Sequence, residues 1–296
     1  MRNWTQEPPG DMNISNIQGD AVTTSSNNGS FIAMTSNSRE ILVLHEGRPF
    51  SFREPIGQVE SIAVSDDGII IVGFDRLLSD GTSVGLGMII ILDTFDLSTS
   101  KYERVWQSGY GTGVDITPDS KMIAIGSPKE RTVYTNILKE NCSFASEQKI
   151  KHYDPTSKTF GWKVALARDG QTIAIVSPTT VSSDVQVGAI FVYVRIDDDW
   201  TAIAEVIYGR NGIRKLGLGG VAINASLARV DAKDDNENVY SFVVSFVLVR
   251  DYYEFGRICK LTYRFPTSSS TRINAATAMP FLRASKAMRF ALGANV

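Results

Sequence analysis

Acidic side chains at short spacing are the first candidates for chemistry in this chain. Asp197, Asp198 and Asp199 stand in a row, and Asp231, Asp235 and Glu237 recur at roughly alternate positions in the run DAKDDNEN, 231–238. Alternate side-chain oxygens can wrap a hard cation such as Ca²⁺. Three consecutive Asp on a short hairpin, however, point in different directions, and no Gly follows them. In the second run Lys233 occupies a ligand position. Both runs are therefore read as solvated turns, with a metal site as the lesser alternative, and no metal ligand is assigned. His45 closes EILVLHEG and His152 sits in KHYD, and neither has a Ser or Cys companion in a nucleophile motif such as Gly-x-Ser-x-Gly. They read as surface or strand-end histidines. Cys142 and Cys259 read as half-buried strand thiols. The glycine run LGLGG, Leu216–Gly220, lacks the Lys-Ser/Thr of a phosphate loop and opens no helix, so it reads as a strand entry. No catalytic residue and no cofactor are assigned.

The one compositional anomaly is the C-terminal stretch. From Arg264 to Val296 there is no acidic residue, while Arg264, Arg272, Arg283, Lys286 and Arg289 are basic. Phe281, Ala284, Met288 and Leu292 would share one face of a helix, with Arg283, Lys286 and Arg289 on another. Such an element could dock on an acidic partner or a membrane surface. The alternative is a ring-closing strand with its basic side chains in solvent. Arg272, Arg283, Lys286 and Arg289 are the partner-binding candidates.

Whole-chain numbers exclude several classes. The 296 residues are 43% hydrophobic and 21% charged, enough for a sizeable core and too apolar for wholesale disorder. A formal net charge of −2 argues against a dedicated nucleic-acid binder. Two Cys and two His exclude a multi-disulfide framework and leave little for a zinc site. The opening MRNWTQEPPGDMN has no apolar core of a secretory signal, and no apolar stretch approaches the roughly 20 residues of a membrane span. The expectation is a protein of the cytoplasm, or of a particle assembled inside a cell such as a virion.

The elements that would carry these residues recur along the chain. Apolar alternating runs that break at a polar turn and restart begin at Asp20, Val59, Thr112 and Phe160, with a degenerate copy from Leu218. Val64, Ile116, Leu166 and Ile223 are equivalent positions, so the period is about 50 residues, which with strand-only content signals a propeller. In the clearest unit, Lys163–Ala167 alternates, Asp169-Gly170 turns the chain, and Thr172–Val176 returns. Ser177-Pro178 then breaks the ladder, since Pro has no N–H to donate. A polar loop, Thr179–Gln186, leads to Gly188–Val194, and the Asp turn reverses the chain into Trp200–Ile207. The unit before it repeats this grammar in Val114–Thr117, Asp119-Ser120, Met122–Ile125, Ser127-Pro128 and Thr132–Leu138.

An aromatic-Gly pair precedes the first strand in both units, Tyr110-Gly111 and Phe160-Gly161. Phe160, Gly161, Asp169, Gly170, Pro178, Gly188, Ala189, Tyr193 and Trp200 fall on the pattern of FG-GAP-type repeats, and the unit resembles that β-propeller family. The match is good over about 50 residues, partial over roughly 56–150 and weak elsewhere. Val176-Ser177 replaces the usual Gly-Ala before Pro178, and the unit from Leu218 has lost its Asp-Gly turn. The turn Ser65–Gly68 differs from the Asp box of sialidase-like propellers, with Gly68 one residue early, and is read as structural. The resemblance implies an all-β propeller of about five to six four-stranded blades over residues 19–266, with an N-terminal arm (1–18) and a basic tail or ring-closing segment (267–296). It says little of function. Scarce catalytic residues favour a non-enzymatic interaction or assembly module whose partners are other protein subunits. A glycan binder or hydrolase using the propeller mouth, and a calcium-dependent adhesion module, are the alternatives.

Overall fold

The computed structural model describes residues 5–6, 23–36, 40–45, 48–53, 57–77, 83–93, 99–103, 109–139, 143–182, 185–202, 206–209, 213–224 and 229–244. Arg272, Arg283, Lys286 and Arg289, the two cysteines, and residues 245–296 as a whole lie outside them.

Among the described residues, five antiparallel sheets of three or more strands follow one another along the chain, beside one two-stranded hairpin. The first holds β1 (Thr5–Gln6), β2 (Thr23–Ser25), β3 (Phe31–Ser36), β4 (Glu40–His45) and β5 (Arg48–Arg53), in the order β1-β5-β4-β3-β2. β1 thus adds an outer strand, with Thr5 opposite Ser51. The second is the meander β6 (Gly57–Val64), β7 (Ile69–Leu77), β8 (Ser83–Asp93) and β9 (Thr99–Glu103). The third is β10 (Val114–Ile116), β11 (Met122–Ser127), β12 (Thr132–Leu138) and β13 (Phe144–Lys151).

The fourth sheet opens with β14 (Lys163–Leu166) and β15 (Thr172–Ser177). A small hairpin, β16 (Val181–Ser182) with β17 (Val185–Gln186), then precedes β18 (Ala189–Ile196). Of the outer strand, expected as one run over Trp200–Ile207, two stretches lie among the described residues. β19 (Asp199–Ala202) and β20 (Ile207–Tyr208) both pair with β18, with Val194 opposite Thr201 and Ala189 opposite Tyr208. The fifth sheet comprises β21 (Gly220–Asn224), β22 (Arg229–Lys233) and β23 (Val239–Val243).

The alternation that marks the second strand of each unit has a physical use on both faces. In β11, Ile123 and Ile125 pack toward the second sheet, while Met122 and Ala124 pack toward the fourth. In β15, Ile173 and Ile175 face the third sheet, and Ala174 and Val176 the fifth. Each of the four apolar clusters therefore spans two successive sheets, as in a stack of blades that cannot bury its faces singly. The first strands β2, β6, β10, β14 and β21 all contribute walls to one cavity. Face-to-face sheets arranged about a shared axial cavity make the fold an all-β propeller.

The aromatic-Gly pairs are the joints between blades. Tyr110 and Phe160 are fully buried, and each following glycine turns back with φ of +90° and +95°. Gly111 N–H donates to Gly126 O, and Gly161 N–H to Val176 O. Their carbonyls press against the previous blade, where only glycine leaves room, at Gly73 and Gly126. Leu216-Gly217 plays the same part for the fifth sheet, with Gly217 N–H bonded to Lys233 O, so LGLGG is a blade joint.

Trp200 adds a second tie. Its Nε1–H on β19 donates to Thr135 Oγ1 on β12 at 2.8 Å, and its ring packs on the cluster between the third and fourth sheets. Trp200→Phe keeps most of the apolar contact but orphans this bond, and should cost about 1 kcal/mol in a urea titration. Trp200→Ala should cost clearly more.

Candidate functional site

The sequence candidates for metal binding are dispersed. Asp197 and Asp198 are the two central residues of a hairpin turn, with φ of 48° and 70°, the type I′ geometry that Asp tolerates. Asp198 pairs with Arg195 at 2.9 Å. Asp231 is held by Arg229 at 2.7 Å and Ser241 at 2.5 Å, and Glu237 by Lys233 at 2.8 Å. The residue that organises this second run is Asp234, which accepts bonds from Asn236 N–H, Asn238 N–H, the Asn238 amide and the Tyr240 hydroxyl. No group of three metal-ligating side chains comes together among the described residues.

His45 stacks on Phe31 with ring centroids 4.1 Å apart. His152 is half-buried between Phe160 and Phe191, with centroids at 5.0 and 4.4 Å. Burial, with the nearby Arg131, lowers its pKa against the opposing pull of Asp154. Both are packing residues.

Two concavities open at opposite ends of the first strands. Where those strands end, at the hairpin turns, lies the larger, about 760 Å³. Asp115 lines it, with Arg168 and Asp169 at the turn after β14, Asn27 and Asn224 from neighbouring blades, and aliphatic Val64, Ile116, Leu166 and Ile223. The Asp115 carboxylate is clamped by two amides, Leu166 N–H at 2.6 Å and Ile116 N–H at 2.9 Å. Protein atoms enclose it almost entirely although it keeps some contact with the cavity. Burial pushes its pKa up to about 6 against the lowering effect of those two amides.

The consequence for stability has a definite sign. The native state holds a proton that the unfolded state releases above its ordinary value of 3.8. Stability from this group is therefore complete below that value and falls as pH rises through about 6, by about 2 kcal/mol once contact with the cavity is allowed for. Asp115→Asn removes the charge, so the melting temperature of the variant relative to wild type should be several degrees more favourable at pH 7.5 than at pH 4.5. An equal difference at both pH values would show that Asp115 is not held in this way.

At the other end, a cleft of about 320 Å³ is lined by Glu60, Thr112, Lys129, Lys158, Thr159 and Trp162. Lys163 lies beside Glu60, and burial lowers its pKa while Glu60 opposes the shift. The connection from β13 to β14 and the β15–β18 connection are laced together here. Thr159 Oγ1 meets Thr179 Oγ1 at 2.8 Å, Thr180 Oγ1 meets Ser157 Oγ at 3.2 Å, and Val181 N–H donates to Thr156 O. Asp154 accepts from both the N–H and the hydroxyl of Thr156, which holds its carboxyl below the usual range. On this fixed frame Tyr153 is 80% exposed and Val185 49% exposed.

The sequence analysis names the propeller mouth but assigns no site residue to either end. Asp115 has a legible signal, since the repeat alignment puts it where Ala63, Ala165 and Ala222 stand in the other units. Tyr153 and Val185 have a weaker one, in that the fourth sheet carries the β16–β17 hairpin where the third has only the short turn Pro128–Glu130.

No protein-family model matches the chain, and no curated protein does. Solved structures share its architecture. A candidate 6-phosphogluconolactonase from Bacteroides fragilis is 12% identical, with a TM-score of 0.51 over 78% of this chain and 67% of that one. The hydrazine synthase of Kuenenia stuttgartiensis is 14% identical, with a TM-score of 0.51 over 80% and 67%. The Cps50 (Swd1) β-propeller domain of Myceliophteria thermophila is 13% identical, with a TM-score of 0.43 over 77% and 85%. At these identities the likeness of the first two is one of fold alone. Among the described residues no helix is long and apolar enough to cross a membrane.

Proposed function

We propose that this β-propeller, with repeats of the FG-GAP-like type, is a non-enzymatic interaction module that docks another protein subunit in a larger assembly. The observation that carries the reading is the laced loop pair of the third and fourth blades. It carries the exposed Tyr153 and Val185, and Lys158, Thr159 and Trp162 of the same loops line the cleft that Lys129 also borders. Aromatic anchors on a rigid frame are what protein interfaces use for affinity, because little side-chain entropy is lost on binding. In a repeat fold, insertions carried by single repeats map to loops on one face, often the binding face, and the hairpin of the fourth blade is such an insertion. The basic tail, with Arg272, Arg283, Lys286 and Arg289, is proposed as a second contact for an acidic partner.

The test is affinity capture from the native source with three proteins, namely wild type, Tyr153→Ala/Val185→Ser, and a chain truncated after Pro266. The reading expects one defined partner whose recovery falls at least about tenfold with the double variant while the melting temperature holds. A smaller loss is expected on truncation. Equal recovery by wild type and the double variant would overturn it.

A further inference from the structure

The 760 Å³ cavity at the turn end of the propeller is separate from the proposed docking face and has its own chemistry. Its volume lies within the range of small-molecule sites. The charged lining among the described residues is Asp115, Asp169 and Arg168. Arg168 and Asp169 are neighbours of opposite sign, so the charge left to be matched is that of Asp115. Each Asp115 oxygen accepts one backbone N–H, from Ile116 and from Leu166. A carboxylate has about four acceptor positions, so two remain for a ligand.

Those amides also fix the carboxylate before anything binds, which removes an ordering cost from association. The surroundings decide which cation fits. Val64, Ile116, Leu166 and Ile223 present aliphatic surface to the same cavity as the Asp115 carboxylate. A hard metal ion asks for six or more oxygens, commonly several of them charged, and this wall does not supply them. An ammonium group on a carbon body suits both parts, with its charge on Asp115 and its methylenes or methyls on the aliphatic wall.

We propose that this cavity is a binding site for a small organic cation, a primary or quaternary amine, with Asp115 as its counter-ion. Calorimetric titration of the full chain at pH 7.5 with choline, with putrescine, and with 3,3-dimethyl-1-butanol as the uncharged counterpart of choline tests it. The expected result is saturable binding of at least one cation with a Kd below about 1 mM, and binding of the alcohol at least about tenfold weaker. Asp115→Asn should lose the cation by at least about tenfold. Ile223→Trp, which fills the cavity and leaves the carboxylate in place, should block it. The proposal is overturned if neither cation saturates below about 10 mM, if the alcohol binds as well as choline, or if both variants bind like wild type.

Discussion

Gly126→Ala is expected to leave the chain unable to close its third blade against its fourth. An added Cβ at this position would lie 1.9 Å from the carbonyl oxygen of Gly161 and 2.9 Å from its carbonyl carbon, so the obstruction is backbone on both counts. Nor can Gly161 retreat. It is bonded to Val176 O at 3.1 Å, its φ of +95° leaves few alternatives, and it follows Phe160, which is fully buried in the cluster joining the two sheets. Relief would mean withdrawing that ring or opening the gap between sheets. Either costs more than about 4 kcal/mol, a large part of the 5–15 kcal/mol that holds an ordinary domain folded. The variant should be recovered mostly insoluble, or melt more than about 10 °C below wild type. Gly73→Ala should behave alike, since its Cβ would meet Gly111 O at the same 1.9 Å. Gly29→Ala is the contrast. Its Cβ meets nothing within 4 Å, and only its φ of +75° resists, so a loss of about 1 kcal/mol is expected. Equal losses at Gly29 and Gly126 would show that blade contact is not what Gly126 is for.

Asp234→Ala should produce the next largest loss, about 3 kcal/mol by urea titration. The residue is only 2% exposed although it sits shallowly in the turn between β22 and β23. Removing it orphans the N–H groups of Asn236 and Asn238 together with the Asn238 amide and the Tyr240 hydroxyl. Burial works to raise the Asp234 pKa, but the bonds from Asn238, Asn236 and Tyr240 outweigh it and hold the group below 3.8. The Tyr240 hydroxyl is pushed up to about 12, by burial first and then by its bond to Asp234. Because the native carboxyl is the more acidic, its contribution is present above pH 3.8 and is lost as pH falls through the native value. The difference between wild type and Asp234→Ala should therefore be constant from pH 5 to 7 and narrow in stronger acid. Asp234→Asn, which keeps one acceptor oxygen, should lose less. A loss under about 1 kcal/mol for the alanine variant would place the turn's stability elsewhere.

Much of the architecture was legible because it is written in local, repeated physics. Period-2 alternation with a turn at Asp169-Gly170 and a break at Pro178 identifies the strands of the fourth sheet without reference to anything distant. Recurrence at about 50 residues then implies blades, since one such unit cannot bury both faces alone. Trp200 was readable from the same pattern as a fixed position of the repeat. Its partner Thr135, 65 residues earlier, was not.

What escaped the linear reading has a common cause. Asp231, Asp235 and Glu237 look like a spaced ligand set, yet on a hairpin successive side chains leave on opposite faces. All three found partners of their own, Asp235 in the side-chain amide of Asn236, and the unremarked Asp234 became the centre of the turn. Asp115 shows the same limit from the other side. By type and spacing it is one polar residue in an alternating strand, and its place where other repeats have Ala is the only mark it carries. Burial, the two amides and the cavity beside it arise because β14 of the next blade lies against β10, a pairing between segments about 50 residues apart. The sequence alone determined that the chain makes strands, that they come in repeated sheets, and that an aromatic-Gly pair opens the clearest of them. Only the tertiary structure decided which side chains meet at the two ends of the channel, because those neighbours are set by the packing of one blade on another.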